Sequence, residues 1–514
     1  MSDEKKIRSV AVVGAGAAGA ITAAALQAEN YFEKIRVFER RATPGGTWIF
    51  DPDPSPALEL RPGKLPPDVD PPLEIPEALP KITAPNKRER FSQTPIYNSL
   101  TTNVPEIAMS FSDRRFAYGP FAPHYIPRQY IETYFTAHKL DSLLSLNTTV
   151  EEIIKLSRST KSADEPERWK LTLRKYDPVR HVDVWWEEEF DAVILANGHY
   201  SVPYIPQVKG LEAYIQKYPG RVIHSKYYRS PLPYASKKVV VIGNSASGHD
   251  LTAELVSTAA HPVYQSRRSR SRWDGAEPPA GISWKPVIEE YVPSTGRIVF
   301  ADGSHLDDVD AVVYGTGYQP SFPFWRSDRN EGPLYDYAAG KLVDGYWHTF
   351  FRAHATLALV GIPRVLTFRS FEYQAVAVAR LLAGRNAVPL PPVDEQVRWE
   401  RERLELTRRE RRKFHDIQWD TGETFEWLAG LFRIAGLGTL RGEGRIPPAL
   451  TKELVWAVEH VKKYPEPGKG DGDGGKDGED GDEVILVAEE GEWTGKDDEW
   501  VLVQRTRKDL LAFI

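Results

Sequence analysis

Val10-Ala11-Val12-Val13-Gly14-Ala15-Gly16-Ala17-Ala18-Gly19 decides how this chain begins to fold. The apolar run Val10–Val13 reads as a buried strand, and the small residues around Ala20–Ala28 read as the helix after it. The glycines between them have separate jobs. Gly14 permits the tight turn, Gly16 lets a pyrophosphate approach the backbone, and Gly19 lets helix and strand pack closely. A helix starting there meets phosphate oxygens with free N–H groups and the positive end of its dipole. Ile35–Phe38 reads as the next strand, and Glu39 closes it, 20 residues after Gly19. A carboxylate at that place receives the two free hydroxyls of a ribose. The glycines alone are weak evidence; turn, helix, strand and acid together predict a dinucleotide site.

The pattern recurs. Gly243-Asn244-Ser245-Ala246-Ser247-Gly248 follows the strand Val239–Ile242, with Ser245 small enough to stand for the middle glycine and Ser247 beside the closing Gly248. Here no acid ends the next strand, which reads Tyr264-Gln265-Ser266-Arg267-Arg268. A carboxylate would repel a ribose 2′-phosphate, whereas guanidinium groups bind it in a fork. The acidic site therefore suits FAD and the basic one NADPH; the bland alternative is a surface arginine pair. The fold class expected is α/β, with two Rossmann-like dinucleotide-binding domains. A discontinuous FAD domain spans 1–207 and 320–462, and an NADPH domain is inserted at 208–319.

Between these landmarks, 51–90 is proline-rich and acidic and reads as an irregular loop or lid. Arg128–His138 and Tyr373–Leu382 look helical, Trp169–Leu173 and Val182–Trp186 look like a small sheet, and Val193–Ala196 and Val312–Tyr314 look like buried strands. Glu400–Lys413 reads as a charged helix with a solvated face. Residues 463–483 read as a disordered acidic, glycine-rich linker, and the tail 484–514 as a hairpin of Val484–Val487 with Trp500–Val503, of unknown role.

Composition narrows the function. The chain has 514 residues, a net charge of −6 and no cysteine. The charge argues against nucleic acid as a partner. The missing cysteines exclude disulfides, cysteine-held metals and a redox dithiol, and no dense histidine cluster suggests a metal. No apolar run approaches the roughly 18–20 residues of a membrane span, so a cytoplasmic enzyme acting on a small molecule is the default expectation. Oligomeric state is open, a homodimer included.

The residues resemble the flavin-containing monooxygenases, especially fungal members. Tyr218-Pro219-Gly220-Arg221-Val222-Ile223-His224-Ser225-Lys226-Tyr227-Tyr228 is similar to that family's F-x-G-x-x-x-H-x-x-x-Y/F signature, with Tyr218 for Phe. Gly45-Gly46-Thr47-Trp48 resembles its flavin-side GGxW, and Tyr97-Asn98-Ser99-Leu100-Thr101-Thr102-Asn103-Val104-Pro105 its YxxLxTNxP. Ala196-Asn197-Gly198-His199-Tyr200, Gly315-Thr316-Gly317-Tyr318 and Glu372-Tyr373-Gln374 complete the series in family order, over roughly 8–385.

The resemblance implies that NADPH reduces FAD, that reduced flavin captures O₂ as a C4a-hydroperoxide, and that a soft sulfur or nitrogen nucleophile takes one oxygen atom. It implies that Gly46, Trp48 and Gln374 serve the cofactor and that Asn103 faces the reacting oxygen, unless Asn103 only shapes the turn before Val104-Pro105. Gly220, His224 and Tyr228 are diagnostic, and His224 is either catalytic or an organiser of the domain junction. The fungal likeness suggests a biosynthetic pathway as the setting. Competing readings are a Baeyer–Villiger monooxygenase, whose signature has Trp-Pro where Tyr228-Arg229 stands here, and a non-catalytic FAD/NADPH sensor. A disulfide reductase lacks its dithiol.

Overall fold

The computed structural model describes residues 7–54, 60–86, 91–156, 167–436, 444–446, 448–464, 484–489 and 501–506. Strand β1 (Ser9–Val13) leads through the first glycine turn into helix α1 (Ala17–Ala28), then strand β2 (Lys34–Phe38). The helix starts three residues before the expected Ala20, directly on the turn, so its free N–H groups border the space above the glycines. β1 lies between β2 and strand β3 (Ala192–Leu195), parallel to both. Leu357–Leu359 pairs parallel to β3, and Phe350–Phe351 and Gly345–Tyr346 extend that edge antiparallel. Leu144–Ser145 closes the other edge of this seven-stranded sheet. Every residue of β3 is buried, as a strand covered on both faces requires.

A second, all-parallel sheet of five strands holds strands β4 (Val239–Ile242), β5 (Val263–Ser266), β6 (Ile282–Lys285) and β7 (Ala311–Tyr314), with Val222–His224 at its edge. Helix α2 (Ala246–Leu255) follows β4 through the second glycine turn. Helix α3 (Phe368–Leu382) packs on α1 in the core of the first sheet and begins five residues before the expected Tyr373.

Further segments also differ from their sequence reading. The proline-rich stretch contributes a short helix at Pro66–Val69, and its Lys81–Thr83 pairs with Val182–Phe190 in a four-stranded antiparallel sheet; residues 55–59 and 87–90 lie outside the described residues. The expected Arg128–His138 helix is Tyr125–Ala137. The charged helix is Val393–Arg409, and it is not merely solvated: Arg403 is buried, donating to the carbonyls of Phe414 and Asp416 and pairing with Glu423. Composition cannot signal this, because the carbonyls and carboxylate that accept the guanidinium arrive from later segments. In the tail, Val484–Glu489 and Val501–Thr506 pair antiparallel; residues 465–483 and Trp500 are outside the described residues. Among the described residues no helix is long and apolar enough to cross a membrane.

Candidate functional site: two glycine turns of opposite charge

The two turns are built alike. Gly14 has φ +107° and Gly243 +109°, and each N–H donates at 2.8 Å to the last carbonyl of the neighbouring strand, Phe38 or Ser266. A Cβ on Gly14 would sit 2.6 Å from the Ala196 carbonyl oxygen, and one on Gly243 2.7 Å from that of Gly315. A Cβ on Gly19 would fall 1.9 Å from the Gly14 oxygen, and one on Gly248 2.1 Å from the Gly243 oxygen. Neither closing glycine tolerates a side chain, because the obstacle is backbone. Gly46, at φ +56°, meets Gly16 face to face; a Cβ on it would lie 2.8 Å from the Gly16 Cα.

Register then sets the charge. Val13 pairs with Phe38 and Ile242 with Ser266, so Glu39 and Arg267 occupy the same place relative to their glycine turns. Glu39 is buried, and its carboxylate accepts from the backbone N–H of Ala15 at 2.8 Å and of Arg41 at 2.9 Å. Arg267 stacks on the Trp284 ring, 3.4 Å from its centroid, and Arg268 is exposed. Ser245 is exposed and Ser247 half-buried at the start of α2.

A cavity of about 430 Å³ runs from the first turn past Glu39, Gly46 and Trp48 to Phe368. The fit to FAD is direct: backbone N–H groups and a cradle without Cβ atoms at one end suit a pyrophosphate, Glu39 suits a ribose, and aromatic walls suit a flat ring. Several lining residues were outside the sequence reading. Arg41 could have been found from its place just after Glu39; Asp70, Arg174 and Tyr176 are brought in by the proline-rich segment and the small sheet, without a local signal. His199 also lines the cavity, and burial pushes its imidazole well below its usual range, so it is neutral.

The remaining motif residues have other surroundings. Gln374 is fully buried behind the cavity; its amide accepts from Gly361 N–H and donates to Thr349 and the His348 carbonyl, fixing the Gly361 turn that does line it. His224 is fully buried, accepts the Lys226 N–H at Nδ1 and stands edge-on to Tyr318; burial pushes its imidazole down to about 3. Beside it the buried Lys226 ammonium donates to the Ser201 and Phe91 carbonyls, and desolvation lowers it to about 7. Tyr228 packs in the core beside the second sheet: its ring meets Tyr97, and its hydroxyl donates to Glu254 of α2 at 2.9 Å. Gly220 is needed for its φ of +79°, since a Cβ there would meet open space. Asn103 is exposed on its bend and does not line the cavity, while its neighbour Thr102 is pinned to Ala122 through both backbone and side chain.

Lys463 and Tyr464, which composition assigns to the linker, are held against the body. Both donate to the Asp250 carboxylate of α2, at 3.1 and 2.6 Å, and Tyr97 donates to the same group. A chain ending at Tyr464 keeps these bonds and should keep the melting temperature and flavin content of the full chain. A chain ending at Lys462 leaves Asp250 with two donors fewer and should lose about 3–6 kcal/mol in urea unfolding, since hydrogen bonds to charged groups are worth about 1.5–3 kcal/mol each. Equal stability of the two truncated chains would show that this contact adds nothing.

Comparisons with known proteins agree with this geometry. Residues 12–66 match the NAD(P)-binding Rossmann-like domain, and residues 85–274 match the flavin-binding monooxygenase-like family. Flavin-containing monooxygenase FMO GS-OX5 of Arabidopsis thaliana is 30% identical over 401 residues, 74% of this chain and 75% of its own. Flavin-containing monooxygenase iboF of the fungus Amanita muscaria is 30% identical over 356 residues, 62% of this chain and 66% of its own. The S-allyl-L-cysteine S-oxygenase of Allium sativum superposes with a TM-score of 0.65 at 25% identity, over 85% of this chain and 90% of that one. The matched segments take in both glycine turns, and a likeness at 30% identity through three quarters of both chains places this protein in the flavin-containing monooxygenase family, as an FAD- and NADPH-dependent monooxygenase.

Proposed function

We propose that the enzyme transfers one oxygen atom to a soft sulfur or nitrogen nucleophile of a small molecule, in the cytoplasm and as a step of a biosynthetic pathway. The FAD domain is taken as 1–207 with 320–462 and the NADPH domain as 208–319. The observation that carries the reading is the exchange of Glu39 for Arg267 at equivalent places of two like turns, which supports FAD at the first turn and NADPH at the second. When bound and reduced, the flavin supplies the electrons that activate O₂. The chain's own residues bind, orient and exclude water. Glu39 and the Gly14–Gly19 turn hold the adenosine end, and Trp48 and Phe368, edge to face at 6.3 Å, form an apolar wall. His199 is neutral and brings no acidic proton to the cavity, which suits a nucleophile that needs no general acid or base.

A sulfur target is favoured by the Allium relative, which is named for an S-oxygenase. The Baeyer–Villiger reading is disfavoured at Arg229. Where that group has proline, this guanidinium donates to the carbonyls of Asp51, Thr94, Lys226 and Tyr228. The test is a panel of thiols, thioethers, amines and ketones, scored by substrate-stimulated NADPH oxidation and by product mass. Gain of one oxygen by a thioether or amine is expected. Conversion of ketones alone overturns the assignment, and NADPH consumption that no substrate stimulates favours the sensor.

Asn103 is assigned to the oxygen-transfer step. Its amide both donates and accepts hydrogen bonds without releasing a proton. Being exposed, it is replaced at little structural cost. Asn103→Ala should keep its flavin and its reduction by NADPH within about an order of magnitude, because the residue belongs to neither glycine turn. Oxygenated product should fall at least about tenfold, with hydrogen peroxide in its place. Wild-type coupling of NADPH to product in this variant would make Asn103 a turn residue only.

A further inference from the structure

Arg267 is not a loose surface cation. Its Nη1 donates at 2.7 Å to Oδ2 of Asp274, a buried carboxylate on the loop between β5 and β6. The same oxygen accepts from Asn244 Nδ2 at 3.0 Å, inside the second glycine turn, and from Ser271 N–H at 2.8 Å. Asn244 also donates to the Ser269 carbonyl at 2.7 Å, and Arg270 reaches the Asp274 carbonyl. One face of the Arg267 guanidinium lies on Trp284, a residue of β6, and its backbone N–H donates to the Lys285 carbonyl at 2.9 Å.

We propose that Asp274 is a positioning residue for coenzyme selection: it ties Arg267 to the glycine turn and, with Trp284, fixes the guanidinium that meets the 2′-phosphate of NADPH. The inference rests on the Gly243–Gly248 turn being the NADPH site. An acid near a phosphate site would ordinarily repel the ligand. Here the carboxylate is occupied by three donors and sits on the Nη1 side. Among the described residues Nε and Nη2 of Arg267 have no hydrogen-bond partner, and the side chain is 22% exposed. Arginine carries much rotamer freedom, and a guanidinium already held by stacking and a carboxylate loses less of it on binding. The sequence signal at this strand end was the arginine pair; the acid that orients its first member lies seven residues further on.

The experiment measures dissociation constants of NADP⁺ and NAD⁺ for the flavin-loaded full chain by titration, with melting temperature and flavin absorbance as checks of folding. Asp274→Asn should weaken NADP⁺ by about tenfold and leave NAD⁺ within about twofold, because only NADP⁺ carries the phosphate. Arg267→Lys neither forks nor stacks in the same way and should do the same. In the Arg267→Ala background, Asp274→Asn should cost nothing further, since the two act as one unit. Unchanged or tighter NADP⁺ binding by Asp274→Asn overturns the proposal, as does equal weakening of both coenzymes, which marks a part that only shapes the turn. Gly248→Ala tests the underlying reading separately: if that variant still binds NADP⁺ like wild type, the turn is not the coenzyme site, whatever Asp274 does.

Discussion

Gly248→Ala should yield a yellow protein that NADPH no longer reduces. The new Cβ would lie 2.1 Å from the Gly243 oxygen and 2.5 Å from its carbonyl carbon, and Gly243 is itself wedged against the Gly315 carbonyl. Backbone meets backbone at that point, so no side chain can yield and the turn must open. Overpacking of this kind costs about 1–3 kcal/mol and sometimes more, and a loss of about 2.7 kcal/mol from binding is about a hundredfold in affinity. The first turn belongs to another sheet and shares no strand with the second, so flavin content should be unchanged. The measurements are flavin absorbance, NADP⁺ affinity, and the rate of flavin reduction by NADPH beside reduction by dithionite. Dithionite should still bleach the flavin. Normal reduction by NADPH would remove the coenzyme from this turn. Gly19→Ala is the mirror variant, with a Cβ 1.9 Å from the Gly14 oxygen, and should lose flavin instead.

Stability should fall steeply on mild acidification, well before carboxylates titrate. Burial pushes His224 and His415 down to about 3, and His199 and His348 well below their usual range. His348 and His415 meet Nδ1 to Nδ1 at 2.9 Å, and His415 Nε2 accepts the Leu342 N–H at 3.2 Å. His415 therefore carries its proton on Nδ1 and donates it to His348, and a second proton on His415 would cost the Leu342 bond. The sign follows from linkage. Unfolded histidine binds a proton near pH 6.5, whereas these folded imidazoles do not until about pH 3. The unfolded state thus gains about 1.4 kcal/mol per pH unit per histidine across that window. From pH 7 to pH 5, His224 and His415 alone should remove about 4 kcal/mol between them. The paired carboxylates of Glu423, held low by the Gln418 N–H and then Arg403, and of Asp113, held low by Arg445, lose their contribution only as pH falls below their ordinary range. Urea unfolding should show a loss of about 1 kcal/mol from pH 8 to 7, where the unfolded Lys226 is protonated and the folded one only in part, and a larger loss from 6.5 to 5 as the histidines act. Equal stability at pH 7.5 and pH 5 would mean that these imidazoles titrate freely in the folded protein.

Local order made much of this molecule readable. A strand, a glycine turn and a helix are consecutive in the chain, and the conformational demands of Gly14, Gly19, Gly243 and Gly248 follow from backbone sterics alone. The acid or base closing the next strand is fixed by register, so the places of Glu39 and Arg267 beside their glycine turns could be read from spacing. Helix starts were less legible. α3 begins at Phe368 because burial against other elements extends it beyond its own periodic core, and the charged helix begins at Val393, directly after Pro392 and with Asp394 and Glu395 in its first turn.

What the sequence by itself determined is the pair of nucleotide turns, their charges and hence the two cofactors. Tertiary structure alone decided the rest of the site. It brought Asp70 to the cavity, Lys463 and Tyr464 to Asp250, Glu423 to Arg403, and Asp274 to both Arg267 and Asn244. The physical reason is the same each time. A buried charge is stable only beside its partner, and a partner from another segment leaves no periodicity or spacing in the chain to announce it.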